Sequence, residues 1–386
     1  KSKIQMRKKL KIITPIGRSF GAGEVFTGPG CFASLSAIRY SRIFIIHSAS
    51  FISSMDGNKK VKKILNKKIF NLFEVSKGEP IIENMKPLFK EIADFKPDCI
   101  IAIGGGSVLD VAKLAWIFYE HPDISHANLT KAFNIPALRG KANFVAVPTT
   151  AGTGSEMSSA AVFQLNPTSP KSFAISHDLI PDIAILDPNL ILTVPEKTKI
   201  YSGLDALSHS VEGYVSLFNN AYTQDLAELS IRNIFNSIND YVNNGDIVSA
   251  DCMLRASNIA GIVQNISIPG IGHALSHQLS SYGLAHGNGC GKFLPIAMRI
   301  NSRKESVNLL YNQLAKKLDL DSTEHLIAKI ENLLSVFDVS IPHKILDRAD
   351  ADKNFISKVF NDPTLRANPL KIQDEHIIEA LEMARE

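Results

Sequence analysis

The sequence predicts an α/β domain built around a parallel sheet, followed by an all-helical domain. The first half of the 386-residue chain alternates short apolar runs with helical patterns, whereas the second half carries amphipathic helical patterns almost throughout. A chain of this length also exceeds what one ordinary core organises, so we expect two domains. No internal repeat is apparent in either half.

Four compact runs rich in β-branched residues predict the strands of the first half: Arg42–His47, Cys99–Ile103, Phe144–Val147 and Ile183–Leu186. Strands that are buried on both faces have such near-continuous apolar runs. Helical patterns lie between them, including Ile82–Phe95 and Val108–Phe118. Strands that alternate with helices in this way form a parallel sheet whose faces the helices cover.

Five segments after Pro195 have apolar residues at three- and four-residue spacing, which predicts amphipathic helices. They are Ala221–Val242, Ser249–Gln264, Ser306–Leu318, Thr323–Val336 and Asp374–Ala384. Pro188 and Pro195 interrupt the chain between the two textures, so we place the domain boundary near Leu192–Lys197. The predicted domains are residues 1–194 and 195–386.

The overall charge balance gives no indication of a nucleic-acid partner. The chain has 42 basic and 38 acidic side chains, a net charge of +4. Its one basic stretch, Lys1–Lys11, is typical of a solvated and frayed terminus. The sequence has no run of about 18 or more apolar residues and no signal-peptide h-region, which predicts a soluble, cytoplasmic protein without a membrane partner.

The four cysteines, Cys31, Cys99, Cys252 and Cys290, lie far apart and include no CxxC pair. Scattered cysteines are typical of a protein from a reducing compartment. Their spacing argues against a disulfide framework and against a thiolate zinc site.

A glycine-rich turn follows the second predicted strand. Cys99–Ile103 leads directly into Gly104, Gly105, Gly106 and Ser107, and a helical pattern comes next. Glycines let the backbone approach a ligand closely, and the start of a helix offers free N–H groups and the positive end of its dipole to an anion. A pyrophosphate suits such a turn. The alternative is a glycine turn that serves only close packing of strand on helix.

A second turn, Pro148–Glu156, follows the strand Phe144–Val147 and is rich in glycine and hydroxyl residues. It falls at the same carboxyl edge of the predicted sheet, where open α/β sheets bind their ligands. Packing alone does not account for two such turns at one edge. We therefore predict a dinucleotide site.

Histidines and one aspartate are concentrated in the helical half. Asp205 and His209 lie four residues apart, and His273 and His277 repeat this spacing before His286. Residues at i and i+4 share a helix face. A lone histidine there is more often a structural residue, but this set favours a metal, and nitrogen and oxygen donors suit Fe²⁺ or Zn²⁺. A metal-dependent hydrolase is equally possible on these residues alone, since a metal also activates water.

Five motifs carry a family resemblance. They are GGGSVLDVAK (Gly104–Lys113), PTTAGTGSE (Pro148–Glu156), PDIAILDPNL (Pro181–Leu190), GLDALSHSVEGY (Gly203–Tyr214) and GIGHALSHQL (Gly270–Leu279). Through them the chain resembles the iron-containing (group III) alcohol dehydrogenases from Phe20 to Pro369, nearly its full length. The resemblance implies a Rossmann-like N-terminal domain and a helical C-terminal domain, in the two-domain plan of dehydroquinate synthase, with the active site between them.

The resemblance implies an enzyme that transfers hydride between a small alcohol or aldehyde and NAD(P). It makes Asp205, His209, His273 and His286 the ligands of Fe²⁺, or alternatively Zn²⁺. His277 corresponds to a second histidine of the family's metal-binding helix, close to the nicotinamide, and is the candidate to relay the alcohol proton. A homodimer or larger homo-oligomer is also implied.

The resemblance assigns the cofactor to both turns. The matching residues are Gly105, Gly106 and Ser107, with Asp110 behind them, and Thr149, Thr150 and Thr153. Lys171 occupies the place of a lysine that commonly reaches the cofactor ribose. Ser48 stands near the place where the family often has an aspartate that binds the adenosine ribose. A carboxylate there would repel a 2′-phosphate, whereas a serine accommodates one, so we predict a preference for NADP(H) over NAD(H).

Three alternatives stay open at this stage. Lys292 either binds an anionic group of the substrate or lies in solvent. A cyclase similar to dehydroquinate synthase shares the two-domain plan, NAD and a metal, but performs net lyase chemistry. A non-catalytic homologue would bind the cofactor without turnover. The PTTAGTGSE turn and the intact set of one aspartate and three histidines favour the dehydrogenase.

Overall fold

The sheet of the first half is parallel, as the sequence predicts. The computed structural model describes residues 21–76, 78, 80–167, 169 and 171–386, so the basic stretch Lys1–Lys11 lies outside the described residues. The strands in the described part are β1 Glu24–Thr27, β2 Arg42–Ser48, β3 Ile69–Val75, β4 Cys99–Gly104, β5 Asn143–Pro148, β6 Ala160–Phe163, β7 Ser172–Ile175 and β8 Ile183–Leu186. Six of them form one sheet in the order β1-β8-β5-β4-β2-β3, and every pairing in it is parallel.

The central strands are buried on both faces because their alternate side chains enter two different cores. Ile101, Ile103 and Val145 belong to the core on one face, whereas Ile100 and Phe144 belong to the core on the other. Successive side chains of a strand point to opposite faces, so a continuous apolar run is what a doubly covered strand requires. The four predicted strands are confirmed on this basis.

Five helices of the described residues lie in the first half: α1 Ala49–Met55, α2 Gly57–Ile64, α3 Lys86–Phe95, α4 Gly106–Glu120 and α5 His126–Thr130. The predicted helix Ile82–Phe95 is shorter than expected, since its first turn, Ile82–Met85, is a 3-10 turn. Pro87 stands at the start of α3 and has no N–H to donate to a preceding helical turn. The helix Val108–Phe118 is confirmed within the longer α4.

The second half is helical throughout its described elements. They are α6 Glu196–Val215, α7 Ala221–Asn243, α8 Ile247–Ser267, α9 Ile271–Ser280, α10 His286–Ser302, α11 Glu305–Lys317, α12 Thr323–Val336, α13 His343–Ala351, α14 Phe355–Asn361 and α15 Asp374–Met383. The five predicted helices are confirmed as α7, α8, α11, α12 and α15. The predicted boundary between residues 194 and 195 falls in the connection between β8 and α6, and the division of the chain there remains a prediction.

Buried side chains of α6 form a core with α7, α8 and α12, whereas α9 and α10 share a second core with α13 to α15. From Gly203 to Val215 every residue of α6 is buried. Polar side chains on such a helix are desolvated and need partners. The motif Gly203–Tyr214 therefore places its polar residues in the interior of the helical half.

Close backbone contact joins the two halves at the turn after β5. Gly154 has φ +58°, in the left-handed region, and it faces Gly261 of α8. A Cβ at position 261 would lie 2.7 Å from the carbonyl oxygen of Gly154. Asn258 also donates to the Glu156 carboxylate at 3.0 Å. The turn at the carboxyl edge of the sheet is thus held directly against a helix of the second half.

Across the described residues, no helix combines the length and the apolar character that crossing a bilayer would require.

Candidate metal and cofactor site

Three helices bring the predicted metal ligands together. Asp205 and His209 lie one turn apart on α6, His273 lies on α9, and His286 is the first residue of α10. The first three residues are 1% to 4% exposed, and the side chain of His286 is 28% exposed. The cluster is therefore closed on most sides and open at His286.

The three imidazoles surround one carboxylate oxygen. The Nε2 atoms of His286, His273 and His209 lie 3.4, 3.5 and 3.8 Å from Oδ1 of Asp205. These separations exceed those of ordinary hydrogen bonds. Within the described residues, Oδ1 of Asp205 and Nε2 of His273 are buried and have no hydrogen-bond partner. A set of metal ligands has this arrangement, in which buried polar atoms face one another without hydrogen bonds between them.

Protonation in the cluster also fits a cation. Burial lowers the pKa of His209 to about 3, so this imidazole is neutral at physiological pH. Burial also acts to lower the pKa of His286, but the neighbouring Cys290 and Asp205 raise it to about 10. These two neighbours therefore favour positive charge at this point of the cluster. Metal binding to such sites displaces protons from the ligands.

Glu212 orients His273. Its carboxylate forms a short hydrogen bond with Nδ1 of His273, and its other oxygen accepts the N–H of Gly272 at 2.9 Å. A carboxylate on Nδ1 holds the proton there and leaves the Nε2 lone pair free. Nε2 is the atom that faces Asp205. Glu212 lies in the motif Gly203–Tyr214, but sequence reasoning assigned it no role.

His277 is oriented in the same way by a residue far along the chain. Its Nδ1 lies 3.0 Å from Oδ2 of Asp362, and its ring stacks on His286 with the ring centroids 5.0 Å apart. Burial opposes the charge on Asp362, but His277 holds the pKa of this carboxyl below its ordinary value. Asp362 is a second functional residue that sequence reasoning missed, because 85 residues separate it from His277.

The hairpin β6–β7 covers this side of the site. The ring of Phe173 lies 5.7 Å from that of His277, centroid to centroid. The pKa of His277 is lowered chiefly by burial, and the charge of Lys171 contributes to the shift. Lys171 thus lies within electrostatic reach of His277, although its predicted ribose contact is not tested by this arrangement.

The two predicted phosphate-binding turns lie side by side. Gly104 pairs with Pro148 in the sheet, and the amide of Thr149 donates to the carbonyl of Gly104 at 2.9 Å. A Cβ at Gly106 would lie 2.6 Å from the methyl carbon of Thr153, so only glycine fits there. Gly105 caps α4, and the exposed Ser107 lies in its first turn.

Asp110 and Lys113 hold the second turn against α4. Asp110 accepts a hydrogen bond from Ser155 Oγ at 2.9 Å and another from the amide of Val162 at 3.1 Å. The fully buried Lys113 donates to the carbonyls of Ser155 at 2.7 Å and Ser158 at 2.8 Å. Asp110 therefore holds the turn that carries Thr149, Thr150 and Thr153, and its place behind a phosphate site remains a prediction.

Ser48 ends β2 at the same edge of the sheet. It is the N-cap of α1, and its hydroxyl accepts the amide of Phe51 at 3.3 Å. His47 pairs with Ile103 on β4, so Ser48 neighbours the glycine turn. The structure thus brings Ser48 to the edge where the sequence places the adenosine end of the cofactor.

Comparison with known proteins decides the family. One family model, described as iron-containing alcohol dehydrogenase, matches residues 22–188, and a second, the C-terminal part of the iron-containing alcohol dehydrogenase family, matches residues 199–385. The chain belongs to the iron-containing alcohol dehydrogenase family. The first match ends just after β8, and the second begins in the first turn of α6.

Relatives of this alcohol dehydrogenase family member differ in length. An aldehyde-alcohol dehydrogenase of Streptococcus pneumoniae is 36% identical over 248 residues, which are 62% of this chain. The chain spans only 28% of the length of that relative. An NADPH-dependent butanol dehydrogenase of Clostridium saccharobutylicum is 28% identical over 87% of this chain and 88% of its own length.

Solved structures show the same fold over nearly the whole chain. The iron-containing alcohol dehydrogenase from Thermococcus thioreducens has a TM-score of 0.86 at 25% identity, over 94% of this chain and 98% of its own. An alcohol dehydrogenase from Oenococcus oeni has a TM-score of 0.85 at 26% identity, over 95% of this chain and 100% of its own. The predicted two-domain fold class is confirmed.

The cluster of Asp205 and three histidines has a further close neighbour that the sequence did not suggest. Cys290 is buried on α10, and its Sγ lies 3.5 Å from Nε2 of His286. The scattered spacing of the cysteines argues against a thiolate zinc site. That argument considered only the spacing between cysteines. It does not apply to a single cysteine that lies one helical turn after a proposed histidine ligand.

Replacing Glu212 by glutamine should weaken metal binding without disturbing the fold. The glutamine oxygen can still accept the Gly272 amide, but its NH₂ group faces Nδ1 of His273 and forces the proton onto Nε2. We expect metal affinity to fall by roughly 10- to 100-fold. Competition with a chromophoric chelator measures this directly. Ser210→Ala, a buried change two residues earlier on α6, is the matched control, and equal affinities in the two variants would refute the role given to Glu212.

Proposed function

We propose that the chain is an alcohol dehydrogenase or aldehyde reductase that depends on one divalent metal and transfers hydride between a small alcohol or aldehyde and NAD(P). The observation that carries this proposal is the ring of three imidazole Nε2 atoms within 3.4 to 3.8 Å of Oδ1 of Asp205. The cluster lies beside the two turns at the carboxyl edge of the sheet, where we propose that a dinucleotide binds. Family membership supports iron and a nicotinamide cofactor in general.

The proposed ligands are Asp205, His209, His273 and His286. A bound Fe²⁺ or Zn²⁺ supplies Lewis acidity at the substrate oxygen. Glu212 keeps the Nε2 lone pair of His273 directed into the cluster. Burial on α6 and α9 excludes water from most of the site, and electrostatic interactions are stronger where water is excluded.

His277 is proposed to carry the alcohol proton. Its Nδ1 is occupied by Asp362 at 3.0 Å, so its Nε2 is the atom free to exchange a proton with the substrate hydroxyl. In the oxidation direction Nε2 of His277 would accept the hydroxyl proton and release it to solvent, while bound NAD(P)⁺ would take up the hydride of the carbinol carbon. Stacking on His286 keeps the ring next to the metal ligands.

The cofactor is proposed to lie across the carboxyl edge of the sheet. Gly105, Gly106 and Ser107 offer the N-terminus of α4 to the pyrophosphate, and the threonine turn lies alongside. The threonine turn also touches the metal-binding helix, since a Cβ at Gly152 would lie 2.6 Å from Cβ of Ser202 on α6. Ser202 lies three residues before Asp205. This contact supports the proposal that the cofactor and the metal bind on adjoining surfaces.

Replacing His273 by alanine tests the proposed function. We expect loss of bound metal and a fall in turnover of roughly 10²- to 10³-fold or more, since removal of one transition-state stabiliser costs that much. The measurements are metal content per chain, nucleotide binding, and NAD(P)H absorbance with a panel of aldehydes and Fe²⁺ or Zn²⁺.

The control for this experiment is His325→Ala, which removes an exposed histidine from α12. Full turnover by a metal-free His273→Ala variant would refute the metal site. Substrate consumption without net change in NAD(P)H would instead indicate a cyclase that regenerates its cofactor. Nucleotide binding without turnover by the parent would indicate a non-catalytic homologue.

We infer further that the enzyme prefers NADP(H). Ser48 presents a hydroxyl, with the hydroxyl of Ser50 2.9 Å away, at the edge where a carboxylate would repel a 2′-phosphate. The clostridial relative is an NADPH-dependent butanol dehydrogenase. These two observations support the preference, and Lys171 is proposed to reach the ribose on the nicotinamide side.

Ser48→Asp should reduce the use of NADPH and leave the use of NADH nearly unchanged. Aspartate caps a helix as well as serine does, so α1 should be retained. A repulsion of roughly 1.5 to 3 kcal/mol would lower kcat/KM for NADPH by roughly 10- to 100-fold. Steady-state kinetics with both cofactors measure the ratio. Ser53→Asp, on the exposed side of α1, controls for charge, and a parent enzyme that strongly prefers NADH would contradict the inference.

A further inference from the structure

Cys290 lies among the proposed metal ligands. It follows His286 by four residues on α10, so both side chains lie on the same face of the helix. Donor atoms of Cys290, Asp205, His273 and His286 all lie within 4.8 Å of one another. The four residues together present one sulfur, one oxygen and two nitrogen atoms to a common centre.

We propose that the thiolate of Cys290 is a further direct ligand of the metal, beside Asp205, His209, His273 and His286, and that it strengthens the binding of Zn²⁺. The proposal rests on the proposed metal site, to which it adds a donor. Neither the motifs nor the family resemblance assigns a role to this cysteine.

Three distances within the group match those between neighbouring ligands of one metal ion. Metal–ligand bonds of about 2.0 to 2.3 Å give ligand-to-ligand separations of about 3.3 to 3.7 Å. Nε2 of His286 lies 3.4 Å from Oδ1 of Asp205 and 3.5 Å from Sγ of Cys290. Nε2 of His273 lies 3.5 Å from the same carboxylate oxygen. His209, at 3.8 Å, is the more distant of the three imidazoles.

Unpartnered atoms in the group point to a bound cation and not to ordinary packing of a buried thiol. Within the described residues, Oδ1 of Asp205 and Nε2 of His273 are buried without a hydrogen-bond partner. Both residues are no more than 2% exposed. A buried cysteine commonly serves as a small apolar side chain, but then its neighbours are apolar. Here the sulfur lies 3.5 and 3.8 Å from the two ring nitrogens of His286.

The glycines beside Cys290 fix the position of the sulfur. A Cβ at Gly289 would lie 2.5 Å from Oγ of Ser276 on α9, and a Cβ at Gly291 would lie 2.7 Å from Cδ1 of Leu204 on α6. These two glycines therefore let α10 pack closely on both helices that carry the other ligands. Cys290, between them, is held at the junction of the three helices.

A thiolate changes which metal the site prefers. Thiolate sulfur is a softer donor than imidazole nitrogen or carboxylate oxygen, and it favours Zn²⁺ over harder cations. The thiol proton leaves to solvent when the metal binds. The Asp205 carboxylate and the Cys290 thiolate together then balance the charge of a divalent ion in a buried site.

Cobalt provides the test, since a sulfur ligand gives Co²⁺ a thiolate-to-metal charge-transfer band in the near ultraviolet. The metal-depleted full-length protein is titrated with Co²⁺, and Cys290→Ser is compared with Cys252→Ser. Cys252 is a half-buried cysteine of α8 whose Sγ faces only the carbonyl of Asn233, at 3.9 Å. We expect the band in the parent and in Cys252→Ser, and its loss in Cys290→Ser.

Zinc affinity provides the second readout. Cys290→Ser should lower the affinity for zinc by more than roughly tenfold, because the loss of a residue that only hydrogen-bonds to a ligand already costs about that much. A parent that binds Co²⁺ without the band, or a Cys290→Ser variant that keeps it, would overturn the proposal and leave the metal site intact. A parent that binds no Co²⁺ would overturn the metal site as well. Thermal unfolding of both variants verifies that each one folds.

Discussion

A carboxylate at the crossing of three buried helices is the constraint on which the rest of the structure depends. Asp205 is 2% exposed, and its Oδ1 faces nitrogen atoms on α6, α9 and α10 without a hydrogen bond among the described residues. An isolated buried carboxylate is too costly to persist, so it must be neutralised or paired with a cation. The residues around Asp205 suit pairing with a cation, because Glu212 directs the imidazole of His273 inward and Asp362 orients that of His277 at the rim.

Close packing, and not long side chains, holds the two predicted dinucleotide-binding turns next to the cluster around Asp205. Gly154 meets Gly261 at backbone distance, and Gly152 meets Ser202 on the metal-binding helix. Lys113 fastens the same turn to α4 through carbonyls of Ser155 and Ser158. A site whose supports lie on packed helices and strands holds its geometry more closely than one on mobile loops. The contact between the two halves of the chain therefore fixes the distance between the two turns and the cluster around Asp205.

Sequence patterns predict those parts of the fold and site that depend on nearby residues. A continuous apolar run predicts a strand that is buried on both faces, such as Cys99–Gly104. Helix geometry predicts that the i, i+4 pairs on α6 and α9 share a helix face. The edge strand β1 cannot be predicted in this way, since all four of its residues are exposed. The pairing of His277 with Asp362 and the approach of Cys290 to His286 depend on how helices pack, and the spacing of residues along the chain does not contain that information.

The central claim is that the buried cluster is built to hold a divalent cation, and thermal unfolding with and without metal tests it most directly. A ligand that binds only the folded state stabilises it by about 2.7 kcal/mol at a concentration one hundred times its dissociation constant. Protein stripped with a chelator and refilled with Zn²⁺ or Fe²⁺ should therefore show a midpoint that rises with metal concentration, whereas His273→Ala should show no rise. An equal response of the two proteins, or none in the parent, would contradict the account.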